Sequence, residues 1–209
     1  MSRALIALAA AAALALQGCV PVVIGAGGAA AYSSLEDRRT TGTQIDDEAI
    51  EVRSSNRLSD RFGGTVHINV TSYNRVALLT GEVPDDKARA EAEKIVRAVP
   101  NVRDITNDLQ ISGLSSMASR GNDSYLTLKV RGRLLDAKSL SQANIKVVTE
   151  SGVVYLLGLV TPTEADEAVD LARNTGGVRK VVKVFEYCTD ANDMCKPRPA
   201  TAPKPKPRV

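Results

Sequence analysis

The sequence predicts an α+β protein built from two tandem copies of one small domain, each α-β-β-α-β, with two helices packed on a three-stranded mixed sheet. An internal repeat is the first observation behind this. Val76-Ala-Leu-Leu-Thr-Gly81-Glu-Val83 reappears as Val153-Val-Tyr-Leu-Leu-Gly158-Leu-Val160, and Ile68-Asn-Val70 pairs with Ile145-Lys-Val147 at the same spacing. Ala92, Ile95, Arg97 and Val102-Arg103 then pair with Ala168, Leu171, Arg173 and Val178-Arg179 at a spacing one residue shorter. Self-similarity at a fixed period marks a repeated structural unit. The second observation is that each copy switches between strand-like alternation and helical periodicity in the same order. The copies span residues 46–111 and 123–187, joined by a linker at 112–122.

Within each copy, an opening helix (about Asp47 to Ser59, and Ser124 to Leu135) leads to an alternating strand, Val66-His-Ile-Asn-Val70 or Ile145-Lys-Val-Val148. Turns at Ser72-Tyr-Asn74 and Glu150-Ser-Gly152 return the chain as a second strand that ends at Gly81 or Gly158. Pro84-Asp85 and Thr161 to Thr163 open a second helix rich in Ala and Glu, which stops near Pro100 or Gly176-Gly177. Val102 to Ile111 and Val178 to Tyr187 supply the third strand. Both helices can then cover one face of the sheet.

The N-terminus carries a different signal. Met1-Ser2-Arg3 precedes the apolar run Ala4 to Leu16 and then Gln17-Gly18-Cys19. A short positive region, an apolar stretch and a small residue describe an export signal, and the run is too short for a bilayer, which needs about 20 apolar residues. Leu16-Gln17-Gly18-Cys19 resembles the bacterial lipobox, with Gln17 where Ala or Ser is usual. The resemblance implies removal of residues 1–18 and acylation of Cys19; a plain secretory signal is the alternative. Asp after the cysteine would imply retention at the inner membrane. Val20 stands there, which implies the outer membrane and its periplasmic face. Residues 19–45, with Gly25-Ala-Gly27-Gly28, read as the acylated cysteine and a flexible tether.

Catalytic chemistry is not expected. The formal net charge of +3 is too weak a bias to predict a nucleic-acid partner. The single histidine, His67, lies on a strand facing opposite to Val66 and Ile68, and reads as a solvated strand residue. The glycine-rich stretch has neither the preceding strand nor the following Lys-Ser/Thr of a phosphate loop. Asp46-Asp47, Asp85-Asp86 and Glu164/Asp166/Glu167 fall at helix starts, where carboxylates complement the helix dipole. No catalytic, metal or cofactor site is expected from this inventory, and the chain is expected to be a monomer. Cys188 and Cys195 flank a short loop; in an oxidising periplasm a disulfide is the natural reading, with a metal site including Asp190 or Asp193 as the alternative. The Pro/Lys-rich remainder of 188–209 cannot build a core and reads as extended coil.

The α-β-β-α-β order, the Leu79-Thr-Gly81-Glu-Val83 and Leu157-Gly158-Leu-Val160 turns, and the Val102-Arg103 and Gly177-Val178-Arg179 approaches to the last strand resemble BON domains. Two of them behind a lipobox resemble the dual-BON outer-membrane lipoproteins, the DolP (YraP) family. The resemblance covers about residues 19–187. It implies a non-catalytic lipoprotein that supports outer-membrane integrity and binds anionic phospholipid through the opening helix of its second domain.

The residues themselves point to the same helix. Leu126, Val130 and Leu134 form one apolar row that suits a face packed on the sheet. Tyr125, Leu128, Gly132 and Leu135 form a second row roughly opposite, flanked by Lys129, Arg131 and Arg133. The first domain has Ala49, Asn56 and Ser59 there, with only Val52 apolar. An apolar stripe edged by cations suits an interfacial helix on an anionic bilayer. Two alternatives remain at this level: the stripe packs on the first domain or the linker, or it docks an envelope protein, the chain then serving as a periplasmic adaptor. The resemblance places Tyr125 at the leading aromatic of the lipid-binding helix.

Overall fold

A computed structural model describes residues 37–188. In the first domain, α1 (Thr41–Phe62) leads to β1 (His67–Tyr73), β2 (Val76–Val83), α2 (Asp86–Arg97), β3 (Asp104–Asn107) and β4 (Gln110–Ile111). In the second, α3 (Met117–Leu134) is followed by β5 (Ile145–Glu150), β6 (Val153–Val160), α4 (Pro162–Arg173) and β7 (Lys180–Tyr187). In each sheet the middle strand, β2 or β6, pairs antiparallel with the strand before it and parallel with the strand after α2 or α4. Strands β3 and β4 lie along β2 in one unbroken register, Val76 against Asp104 and Val83 against Ile111, so they are one strand interrupted at Asp108-Leu109.

Alternation along the strands assigns each side chain to a face. Val70, Ala77, Leu79 and Val83 point at the helices and form one core with Ile50, Leu58, Ala92 and Val96. Val147, Val154, Leu156 and Val160 do the same with Val130, Leu134, Ala168 and Ala172. The opposite faces are buried too. Tyr73 and Leu78 of the first sheet meet Tyr155, Leu157 and Leu159 of the second, with Val148, Val182 and Val184 packed around them. The two sheets therefore stack face to face with their helices outside, giving helix, sheet, sheet, helix layers. Burying such a Leu or Tyr stabilises by about 1.5–3 kcal/mol each.

Polar groups set the alignment of the two sheets. Strands β1 and β5 cross in opposite directions: Asn69 Nδ2 donates to Glu150 (2.8 Å) near one end, while Tyr73 Oη donates to the Asn144 carbonyl (3.1 Å) near the other. Lys146 Nζ reaches Glu51 (2.5 Å), and Tyr155 Oη donates to Asp108 (2.8 Å). Arg38, ahead of α1, forks onto both Glu164 oxygens of α4 at 2.7 and 2.8 Å. Burial raises the Glu150 carboxyl above its ordinary value, the Asn69 hydrogen bond and His67 oppose this, and the Glu82 and Asp123 carboxylates add to it.

Both hairpins are tied to their opening helix by a buried carboxylate. Asp47 accepts from the Asn74 (2.8 Å) and Arg75 (2.7 Å) amides and from the Ser72 hydroxyl. Asp123, its counterpart on α3, accepts from the Ser151 (2.9 Å) and Gly152 (2.8 Å) amides. Asn74-Arg75 and Ser151-Gly152 all have positive φ, the geometry of the two-residue hairpin turn that matches strand twist. The repeated glycines have a steric cause. A Cβ on Gly81 would lie 2.0 Å from the His67 carbonyl oxygen, and one on Gly158 would lie 2.5 Å from that of Asn144.

Several expectations change. The first hairpin turns at Asn74-Arg75, two residues later than expected at its tip, because Ser72 and Tyr73 continue pairing with Ala77 and Val76. Strands β2 and β6 run through Gly81 and Gly158 to Val83 and Val160. Both opening helices start earlier than their apolar periodicity suggests, at N-caps Thr40 and Ser116; residues 117–122 of the expected linker are thus helical. Asp46 and Asp47 consequently lie beyond the first turn of α1, and Asp47 serves the hairpin instead of the helix dipole. His67 is not a solvated strand residue: its side chain is 16% exposed and faces Glu150 of the second domain. Cys19, Cys195 and the Pro/Lys-rich tail lie outside the described residues; Cys188, at the end of β7, is buried.

Candidate functional site

Helix α3 exposes more apolar side chains than its counterpart α1. Its buried row is Leu126, Val130 and Leu134, all at most 3% exposed, so the face opposite is fixed by helical geometry. On it Tyr125, Leu128 and Leu135 are 62%, 65% and 70% exposed. The alternative that this row packs on the first domain or on the linker does not hold within residues 37–188. Gly132 and Gly121 lie along the same stripe, and a Cβ added at either would touch nothing within 4 Å. The helix backbone is therefore open between the large side chains.

Because α3 begins at Met117, the stripe is a turn or two longer than the apolar pattern indicated. Met117, 78% exposed, lies on the stripe two turns before Ser124. Its sequence signal was the Ser116 N-cap, whose hydroxyl accepts from the Ser119 amide at 3.2 Å. Leu114, 50% exposed, precedes it in the connecting segment. Helix α1 shows a smaller version. Ile45 and Val52 are seven residues apart, hence on one face, and are 65% and 60% exposed; Ile45 was hidden by the same late reading of the helix start.

The cations are not equivalent. Lys129 Nζ donates to the Gly176 carbonyl (2.5 Å) and sits 5.7 Å from the centre of the Tyr125 ring. It holds the ring against the helix and ties α3 to the loop after α4. Arg131 and Arg133 are exposed, with no side-chain partner among the described residues. Asp136 stands exposed beside Leu135 and opposes them. The end of the stripe is pinned from α4: Glu167 accepts from the Lys138 (2.8 Å) and Ser139 (2.9 Å) amides and from the Ser139 hydroxyl. The Lys138 amide, then the Ser139 hydroxyl and amide, hold the Glu167 carboxyl below its ordinary value.

The described part of α3 thus presents an exposed apolar row on a firmly seated outer helix, edged by the guanidinium groups of Arg131 and Arg133. Residues 46–113 and 122–189 match the BON domain family. The chain is 40% identical over 174 residues to the outer membrane lipoprotein DolP of Haemophilus influenzae, covering 82% of this chain and 90% of the relative. It is 35% identical over 153 residues to a 21 kDa hemolysin of Actinobacillus pleuropneumoniae, 72% and 79% of the two chains. It is 27% identical over 144 residues to the osmotically inducible protein Y of Escherichia coli, 67% and 72% of the two chains. The chain belongs to the dual-BON DolP family of outer-membrane lipoproteins. No helix among the described residues is long and apolar enough to cross a membrane.

Proposed function

We propose that the protein is a non-catalytic lipoprotein, anchored by acylated Cys19 at the periplasmic face of the outer membrane. Through α3 it binds anionic phospholipid and so supports envelope integrity. The observation that carries this reading is the exposed row Met117, Tyr125, Leu128 and Leu135, set beside Arg131 and Arg133. Each cation close to an anionic leaflet contributes about 1 kcal/mol, and burying Tyr125 or Leu128 adds roughly 1.5–3 kcal/mol apiece. That is modest for a free protein. It suffices for one already held at the membrane, where effective concentration is high.

The test is co-sedimentation of residues 37–209, which carry both domains, with vesicles of anionic or zwitterionic lipid. Selective binding to anionic vesicles, lost on Tyr125→Ala with Leu128→Ala, supports the proposal. Equal binding to both vesicle types, or binding unchanged in the double variant, rejects it. Photocrosslinking from position 128 that captures one stoichiometric envelope protein in place of lipid would favour the adaptor reading.

A further inference from the structure

At the rim of the sheet-to-sheet junction, His67 of β1, Glu82 of β2 and Glu150 of β5 converge. One ligand atom from each lies within 4.8 Å of the other two. Register explains the first pair: His67 sits directly opposite Glu82 on the face turned toward the second domain. Glu150, at the last position of β5, is brought over by the stacking of the sheets. Both glutamates are buried, at 3% and 5% exposure. Two buried carboxylates facing each other are costly unless a cation compensates them. Arg120 stands beside the cluster, its Nε donating to the Ser115 hydroxyl (3.0 Å) that in turn donates to Glu82, but it makes no ion pair with either glutamate within 4.0 Å among the described residues.

The surrounding hydrogen bonds leave the atoms a cation needs. Glu82 receives the Ser115 amide (3.2 Å) and hydroxyl (3.1 Å) on Oε2. Glu150 receives Asn69 on Oε2, and its Oε1 lies 3.6 Å from His67 Nε2. The Asn69 amide nitrogen is also 3.2 Å from that Nε2. Thr80, cross-strand from Asn69 and on the same face as Glu82, has a buried hydroxyl without a partner. A cavity of about 510 Å³, lined by His67, Asn69, Arg120, Asp123, Leu128 and Glu150 among others, opens beside the cluster. It provides an entry path and room for water ligands.

We infer that His67, Glu82 and Glu150 form a binding site for one divalent transition-metal cation, with zinc or manganese the best match, and that the cation ties the two domains together. One imidazole and two carboxylates suit such ions better than magnesium or calcium, which favour oxygen alone. A bound zinc would draw the three ligand atoms in to roughly 2.0–2.2 Å from the ion. Water from the cavity completes the coordination.

The test uses the full chain in detergent, stripped with a chelator and titrated with Zn²⁺ and with Co²⁺ as a spectroscopic probe. The expected result is one equivalent bound, a rise in Tm, and cobalt d–d bands. His67→Ala and Glu150→Gln, each first shown to keep the metal-free circular dichroism spectrum, should weaken binding at least about tenfold. If either misfolds, Glu82→Gln takes its place. X-ray absorption of the zinc-loaded protein should show one imidazole and otherwise oxygen ligands. Failure to bind at micromolar zinc, undiminished affinity in the folded variants, or sulfur in the coordination sphere, which would assign the metal to cysteine, overturns the inference.

Discussion

Arg38 grips Glu164 with two parallel hydrogen bonds, 2.7 and 2.8 Å long, joining the segment ahead of the first domain to the last helix of the second. Glu164 is also the third helical residue of a capping box with Thr161. Burial would raise its carboxyl, but the Arg38 hydrogen bond and the Thr161 amide and hydroxyl outweigh it and hold the group below the ordinary range. A depressed folded value means the stabilisation is fully present above the unfolded value of about 4.3 and is lost as pH falls through the folded value. Arg38→Met or Glu164→Gln should each cost about 3–5 kcal/mol near neutrality, the loss typical of breaking a buried pair. Thermal unfolding from pH 7 to 3 should show the gap between wild type and Glu164→Gln narrowing in acid. A gap independent of pH would mean that the carboxylate charge is not what matters.

Gly81 and Gly158 look equivalent in the repeat but should not respond equally. Gly81 has φ of +116° as well as the close carbonyl; Gly158 has only the close carbonyl. Gly81→Ala combines backbone strain with overpacking, about 2–6 kcal/mol together. Gly158→Ala should cost about 1–3 kcal/mol. Denaturant unfolding of the two variants orders them, and the reverse order would contradict this account of the motif.

Asp47 and Asp123 hold their hairpins with unequal numbers of bonds. Asp47→Ala strips two turn amides, a serine hydroxyl and the Arg39 contact at 2.9 Å. It should cost about 3 kcal/mol or more, and Asp123→Ala about 2 kcal/mol. Hydrogen exchange at Arg75 and Gly152 reads each turn directly. Amides still protected in the alanine variants would show that the turns support themselves.

Asp136 lies beside Leu135 at the edge of the α3 stripe and works against Arg131 and Arg133. If the stripe meets an anionic surface, Asp136→Asn should raise affinity for anionic vesicles about fivefold, the equivalent of about 1 kcal/mol per charge near the surface. Binding to zwitterionic vesicles should not change. Unaltered affinity in co-sedimentation would remove the surface from this part of the helix.

The repeat, the element order and both helix faces were legible because periodicity of 2 or 3.6 residues reports directly on burial. The exposure of Tyr125, Leu128 and Leu135 could be read in the same way, since one small sheet cannot cover two helix rows. His67 could not. Alternation places it opposite Ile68, but the other sheet that covers it comes from residues far along the chain. Asp47 and Met117 were hidden for a local reason: Thr41 to Gln44 and Ala118 to Asn122 have little apolar periodicity, and only the caps at Thr40 and Ser116 announce the helix starts. Pairing of Ser72 and Tyr73 in β1 likewise overrode their turn-forming composition.

The opposed crossing of β1 and β5 relates the repeats much as a two-fold axis relates the halves of a homodimer. Asn69 meeting Glu150 at one end is answered by Ser72 and Tyr73 meeting Lys146 and Asn144 at the other. Within one chain, however, the two copies need not be identical. A true homodimer would carry the same surface on both outer layers, whereas here, among the described residues, α1 exposes Ile45 and Val52 on its counterpart face and α3 a full apolar row, so the two outer layers present different chemistry to whatever lies outside them.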